Sequence, residues 1–192
     1  LIWREFYASI LYHFPATSNQ EFQNKYINFP WKQDAGSLEK FTNAQTGFPI
    51  IDAAIRQLLT TGWMHNRARM IVASFFTKNL LLDWRLGEEF FAQHLMDYDL
   101  ASNVGGWQWA ASCGTDAQPY FRIFNPMLQS EKFDPEGHFI KKYLPELSTV
   151  NAKDIHDGAK IAANYNLNYP RPMINYNLSR EMALKAFKDW NL

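Results

Sequence analysis

The chain has 192 residues, 47% of them hydrophobic and 20% charged, the length and balance of one globular domain to one and a half, which excludes a disordered, collagenous or linker sequence. Formal net charge is zero and the single cysteine, Cys113, excludes an internal disulfide or a thiolate metal cluster, so a reducing cytoplasm is expected. The one long uncharged stretch, between Asp99 and Asp116, is broken by Ser102, Asn103, Gly105, Gly106 and Gln108, which excludes a membrane span; the opening Leu-Ile-Trp-Arg-Glu has neither an initiator methionine nor a secretory signal, as expected of a fragment of a longer protein.

Ile2, Phe6, Ser9 and Ile10 recur at helical spacing until Pro15 and predict a first helix over residues 1 to 12. Pro49 fits a first helical position, Ile50, Ile51, Ala54, Ile55, Leu58 and Leu59 form one stripe, and Gly62 closes the end, a second helix. A third is expected from Asn66 to Leu82, apolar on most sides, and a fourth from Gly87 to about Met96 with Glu88 and Glu89 in its first turn. Beyond Asp97 the glycines and Asn103 predict turns rather than regular structure, the kind of loop that holds sites. Pro126, Pro135 and Gly137 break up the next region before a short helix at Phe139 to Tyr143, and a last helix is expected over Ser179 to Trp190. Alternation of period two is confined to Tyr120 to Phe124. The class is all-α, with no internal repeat.

Charge is distributed unevenly along this frame. Residues 56 to 85 hold Arg56, Arg67, Arg69, Lys78 and Arg85 against Asp83, a net of +4, whereas residues 86 to 116 hold Glu88, Glu89, Asp97, Asp99 and Asp116 with no Lys or Arg, a net of −5. A neutral total can hide a face suited to phosphates beside a carboxylate pocket, and alternating solvated helix faces give the same counts. Aromatic residues reach 16%, from 15 Phe, 9 Tyr and 7 Trp; most fill a core, and such density also suits flat ligands.

Three segments carry chemistry. In TGWMHNRARM, Thr61 to Met70, Asn66 and Met70 stand one turn apart, where an amide can read a base edge, a thioether packs on flat rings, and Arg67 or Arg69 can fork around a phosphate or carboxylate. His65 reads as a capping or packing residue. In MDYDLASNVGG, Met96 to Gly106, Asp97 and Asp99 flank Tyr98 ahead of Asn103, and no further ligand spacing completes a metal site. In GGWQWAASCGTDAQPYFRIF, Gly105 to Phe124, Trp107 and Trp109 stand two apart; with Trp84 and Trp31 upstream they serve either packing or electron transfer. No nucleophile elbow, phosphate-cradling loop or zinc spacing occurs, which leaves hydrolysis without residues.

WREFY at Trp3 to Tyr7, TGWMHNRARM at Thr61 to Met70, DYDLASNVGGWQW at Asp97 to Trp109, and FRIFNP with QSEKFDPEG at Phe121 to Gly137 stand in an order that resembles the helical FAD-binding domain of the photolyase and cryptochrome family, in particular the bacterial type that repairs cyclobutane pyrimidine dimers. The resemblance spans nearly the whole chain. It implies that residues 1 to 192 are the C-terminal portion of the helical FAD-binding and DNA-binding domain, with the N-terminal antenna domain, its chromophore and the front of the helical domain outside the chain. It implies FAD as cofactor, with Asp97, Tyr98, Asp99, Asn103, Asn66 and Arg69 around it and Arg69 paired to Asp97. DNA containing pyrimidine dimers is the implied partner of a monomeric full-length protein. Trp3, Tyr7, Asn66, Met70 and Trp109 would meet the lesion, and Arg4, Arg67 and Gln129 the DNA surface. Trp107, Trp84 and Trp31 would pass an electron inward to the excited flavin. Plant cryptochromes tend to carry an acid where Asn103 stands, and single-strand-preferring relatives Gln for Met70 and Tyr for Trp3 or Trp109, so the repair set is intact. A blue-light receptor without repair, and an isolated helical fragment without activity, are the alternatives.

Overall fold

The computed structural model describes residues 1–190. Among them ten α-helices follow one another: α1 (Ile2–His13), α2 (Ala35–Thr42), α3 (Pro49–Thr61), α4 (Asn66–Ser74), α5 (Trp84–His94), α6 (Leu100–Ala111), α7 (Pro126–Phe133), α8 (His138–Tyr143), α9 (Gly158–Asn164) and α10 (Tyr176–Trp190). The class is all-α, as expected, and Tyr120 to Phe124 form turn and irregular backbone instead of a strand. Of the described residues, only Lys32 and Leu82 meet in an isolated bridge.

Helix α3 is the apolar centre. Pro49 stands at its first position, its residues from Pro49 to Ile55 are buried, and Gly62 closes it at φ 66°, the left-handed conformation that glycine adopts without cost. Around it, α4, α5 and α6 bury Ile71, Val72, Phe90, Phe91, Val104 and Trp107 in one continuous core. Buried Asp52 ties the last third of the chain to this centre: it accepts from Thr46 N, Thr46 Oγ1 and Gly47 N, and from Tyr169 Oη at 2.6 Å.

Several boundaries differ from the sequence reading. The expected Asn66 to Leu82 helix stops at Ser74, where the backbone widens into a π-turn over Phe75–Asn79, and Leu81 at φ 55° then leaves helical geometry altogether. The Gly87 to Met96 helix begins earlier, at Trp84, because Asp83 caps it by accepting from Arg85 N at 3.0 Å; Glu88 and Glu89 therefore lie in its second turn. The largest correction is α6, which occupies the segment read as turns. Asp99 caps it through Ser102 N at 2.9 Å. Gly105 answers a steric need, since its Cβ would stand 2.2 Å from the Tyr7 ring, whereas a Cβ on Gly106 would meet nothing within 4 Å. Helices α2, α7 and α9 went unread, and α10 starts three residues early, at Tyr176.

Candidate functional site

Helices α1, α4 and α6 and the turn at residues 95–99 enclose a cavity of about 470 Å³. That is within the roughly 300–1,000 Å³ of small-molecule sites. Helix α4 is aimed by its cap. His65 Nδ1 accepts from Arg67 N at 3.1 Å, the capping role expected of it. This orientation turns Asn66, Met70 and Ala73 toward the cavity in successive turns, with Asn66 Nδ2 4.0 Å from Met70 Sδ.

Arg69 anchors the far side. Its Nε donates to Met64 O at 2.7 Å and its Nη2 donates to both oxygens of Asp97, at 2.9 and 2.8 Å. The pair is half in solvent, so its value is positional more than energetic. Asp99 spends its carboxylate on the α6 cap, and the hydrogen bonds from Ser102 hold its pKa below the ordinary carboxylate range. One step away, Glu88 on α5 accepts from Tyr98 Oη at 3.0 Å and from Asn103 Nδ2 at 3.0 Å, while its carbonyl also accepts from Asn103 Nδ2 at 3.1 Å. Burial first, and then the Glu88 carboxylate, push the Tyr98 hydroxyl up to about 12. The two hydrogen bonds donated to Glu88 fix the Asn103 amide with its nitrogen toward α5 and its carbonyl oxygen turned the other way.

The outer wall is α1. Trp3, Arg4 and Tyr7 line the cavity from it, opposite Trp109 of α6. Trp3 is 59% exposed, and its ring lies 6.0 Å from Tyr7. Ala73, Phe91, Leu95 and the indole of Trp107 complete an apolar inner lining.

A family model described as the FAD binding domain of DNA photolyase matches residues 1–189. The chain belongs to this photolyase family. It is 52% identical over 186 residues to a deoxyribodipyrimidine photo-lyase of a Synechococcus species, a match that takes in 97% of this chain and 38% of the relative. Among solved structures it resembles a bacterial class III photolyase from Agrobacterium tumefaciens, at TM-score 0.92 and 44% identity over 99% of this chain and 41% of the other. It also resembles a cryptochrome of Synechocystis, at TM-score 0.86 and 36% identity over 96% and 40%. The chain thus spans about two fifths of the length of these relatives.

Within this photolyase-family chain, the cavity gathers Trp3, Arg4, Tyr7, Asn66, Arg69, Met70, Asp97, Tyr98, Asp99, Asn103, Trp107 and Trp109. Four residues singled out from the sequence lie outside it. The Arg67 guanidinium lies 4.7 Å from the Phe133 ring, and Gln129 stands one turn before Phe133 on α7 with its Oε1 buried. These two therefore share a neighbourhood beside the cavity. Trp84 and Trp31 are buried behind it, at 0% and 9% exposure. The Trp107 ring is wedged edge-on between Phe76 and Phe91, at 5.5 and 5.0 Å, and rests on Gly87, where a Cβ would stand 2.2 Å away. Gly87 is one turn along α5 from Trp84, and Lys32 N donates to Leu81 O at 2.8 Å, which brings the segment carrying Trp31 alongside the entry to α5.

Glu88 was missed as a site residue. It had been read as a helix-end charge, and no local pattern signals that it reaches 15 positions along the chain to Asn103. Phe91 and Leu95 were missed because an apolar residue lining a cavity looks the same in sequence as one filling a core.

Proposed function

We propose that the protein carrying this chain is a deoxyribodipyrimidine photo-lyase, and that the chain is the C-terminal portion of its helical FAD-binding and DNA-binding domain. The protein binds FAD in the cavity, receives a cyclobutane pyrimidine dimer flipped out of DNA at the mouth, and breaks the two carbon–carbon bonds joining the pyrimidines by light-driven electron transfer. The observation that carries the reading is one cavity that joins a fixed polar edge, made by Asn103 and the half-exposed Arg69–Asp97 pair, to partly exposed indoles, Trp3 and Trp109, at the rim. The photolyase names of relatives near half identity support it.

The residues present fit the ring end of a flavin. The inner lining is apolar and flat, Gly106 opens a space that a side chain would fill, and the Asn103 carbonyl oxygen, turned away from Glu88, is an acceptor for a ring N–H. When bound, FAD supplies the light absorption and the one-electron chemistry. The protein's part is to bind and orient. Glu88 holds Asn103 in place, Arg69 holds Asp97, and Phe91 and Leu95 exclude water from the inner end. Trp3, Tyr7 and Trp109 offer stacking surfaces to the bases, with Met70 and Asn66 between them and the interior. Arg4, Arg67 and Gln129 meet the DNA backbone, and an antenna chromophore sits on the N-terminal domain. Trp107, Trp84 and Trp31 relay electrons from the surface side of the molecule to the cavity. The same reading makes the full-length protein a cytoplasmic monomer.

The deciding experiment uses the full-length protein: flavin absorbance after purification, then the dimers remaining in ultraviolet-damaged DNA after blue light or darkness. Dimer loss only in the light supports repair. Bound flavin without dimer loss favours a blue-light receptor, the reading to which the cryptochrome likeness belongs, and absence of flavin sinks both.

A further inference from the structure

The three interior tryptophans differ in what their indole nitrogens meet. Trp31 Nε1 and Trp107 Nε1 are buried without a hydrogen-bond partner among the described residues. Their rings touch aromatic neighbours, Phe29 and Phe187 for Trp31, Phe76 and Phe91 for Trp107. Trp84 Nε1 instead donates to Glu21 Oε1 at 3.2 Å. The Glu21 side chain is 2% exposed, and such a carboxylate is costly unless something compensates it.

Arg85 provides the compensation. Its Nη1 donates to Glu21 Oε1 at 3.0 Å and its Nη2 to Oε2 at 2.7 Å, while Nη1 also reaches Asp83 Oδ1 at 3.0 Å and Nε donates to Asn19 O at 2.6 Å. Burial raises the Glu21 pKa, but the Arg85 hydrogen bonds and charge outweigh it and hold the carboxyl below its ordinary range. The guanidinium lies 4.8 Å from the Trp84 ring centroid. Counted around Trp84, Glu21 and Asp83 contribute −2 and Arg85 +1, a local sum of −1. Tying residues 19 to 21 to α5 needs only Arg85; the bond to the indole adds a negative charge at the atom that becomes most acidic when the ring loses an electron. In a low-dielectric interior a charge at that distance acts far more strongly than in water.

We propose that Glu21 is a positioning residue of the electron relay, its charge making Trp84 easier to oxidise than Trp107, so that the electron vacancy passes from Trp107 to Trp84 and is kept from returning. The inference rests on reading Trp107, Trp84 and Trp31 as a relay. In the step concerned Trp84 gives one electron to the Trp107 radical cation; Trp107 returns to its neutral form and Trp84 becomes the radical cation. No bond forms or breaks. The proton stays on Nε1 because Glu21, held through both oxygens, is a weak base, and the primary oxidant is of the excited-flavin class.

The test is flash photolysis of the full-length, flavin-loaded protein in a Trp31→Phe background, where the vacancy stops at Trp84, read by the visible absorbance of the tryptophan radical cation itself. Glu21→Gln keeps an oxygen near Nε1 and removes the charge. It is expected to shorten the radical lifetime about tenfold, equivalent to about 59 mV for a one-electron couple, and Glu21→Asp should restore most of it. The indole N–H resonance of Trp84, assigned with Trp84→Phe and recorded in the dark, should move in Glu21→Gln. Asp83→Asn keeps the helix cap and removes the second carboxylate; it should shorten the lifetime about threefold through space alone, and carries the test if Glu21→Gln does not fold. Lifetimes unchanged in Glu21→Gln, or in Asp83→Asn should that variant have to stand in, overturn the proposal and leave Glu21 a tie between segments. Absence of any tryptophan radical with all tryptophans intact overturns the relay reading instead, and this inference falls with it.

Discussion

The two walls of the cavity are built to different standards. Helix α6 buries Ala101, Val104, Trp107, Gln108, Ala110 and Ala111, whereas α1 has no residue buried by this chain, which spans about two fifths of its relatives' length. One wall is part of the core; the other packs on α6 and on the turn at Pro15–Ser18, with the Tyr7 ring seated on Gly105. Local stability follows buried apolar contact. The inner wall should therefore hold geometry to a fraction of an ångström, as electron transfer and a fixed cofactor edge require, while the outer wall can yield to admit a bulky flipped base pair. Within α6 itself burial separates the roles of Trp107, which is buried, and Trp109, which is partly exposed two residues further along.

The sharpest contrast comes from those two indoles, one facing the core and one the rim. In the full-length protein, Trp107→Phe keeps an aromatic ring in the core but one much harder to oxidise. Light-driven reduction of the flavin is expected to collapse, while repair by protein reduced chemically beforehand should survive. Trp109→Phe should do the reverse, leaving photoreduction intact and weakening lesion binding by up to about 1–3 kcal/mol, the worth of a stacking platform. Photoreduction kinetics and binding isotherms on damaged DNA check both, and normal photoreduction in Trp107→Phe would sink the assignment.

The next contrast concerns packing. Gly87→Ala places a methyl group against the Trp107 ring, where the ideal Cβ lies 2.2 Å from Cη2 and 2.3 Å from Cζ3. Trp107 cannot retreat, because Phe76 and Phe91 flank it. A loss of about 1–3 kcal/mol is expected from overpacking, well beyond the small gain that alanine brings to a helix, and urea unfolding measures it. A neutral or stabilising outcome would mean that the inner wall is softer than its burial implies.

How much of this could be seen in the sequence depends on whether the signal was local. The helix at Pro49 was legible because a proline start, an apolar stripe and a closing glycine all lie within fourteen residues. The chemistry of Arg69 and Asp97 was legible only through the resemblance, since 28 positions separate them. Helix α6 differs from the sequence reading for a physical reason: the Gly105–Gly106 pair looks like a turn former, and only the Tyr7 ring seated against Gly105 shows why a helix carries glycine there. The π-turn at Phe75–Asn79 had no local signal either. It turns Lys78 inward, where Nζ donates to Ala111 O at 3.2 Å and Ser112 Oγ at 2.7 Å and lies 3.6 Å from the Phe187 ring centroid. A buried lysine capping α6 is a tertiary fact.

That lysine gives the inner wall a pH dependence of its own. Burial pulls its ammonium down to about 7, against about 10.4 in an unfolded chain. Between those values the unfolded chain holds a proton that the folded chain has released, so stability rises with pH across the window, by up to about 1.4 kcal/mol per unit. Urea midpoints at pH 7 and 9 should increase in the parent, and Lys78→Met should flatten the rise. A slope unchanged by Lys78→Met would assign it to other groups.

The smallest effect is expected at the outer wall, and it is the most informative about how that wall works. A Cβ on Gly105 would stand 2.2 Å from Tyr7 Cδ1 and 2.4 Å from Cε1, as tight as the clash at Gly87. Within this chain the obstacle belongs to a helix with no buried residue, so in the chain by itself the ring can be displaced by moving α1 as a whole. Gly105→Ala should therefore cost under about 1 kcal/mol, partly offset by the better helix propensity of alanine. Amide exchange should quicken in Ile2–His13 while α6 stays protected. Because Trp3 and Arg4 ride on the same helix, lesion binding by the full-length protein should weaken through misplacement of the rim, with photoreduction unaffected. Equal destabilisation by Gly105→Ala and Gly87→Ala would abolish the distinction between the walls, for it would show that α1 is held as firmly as the core it covers.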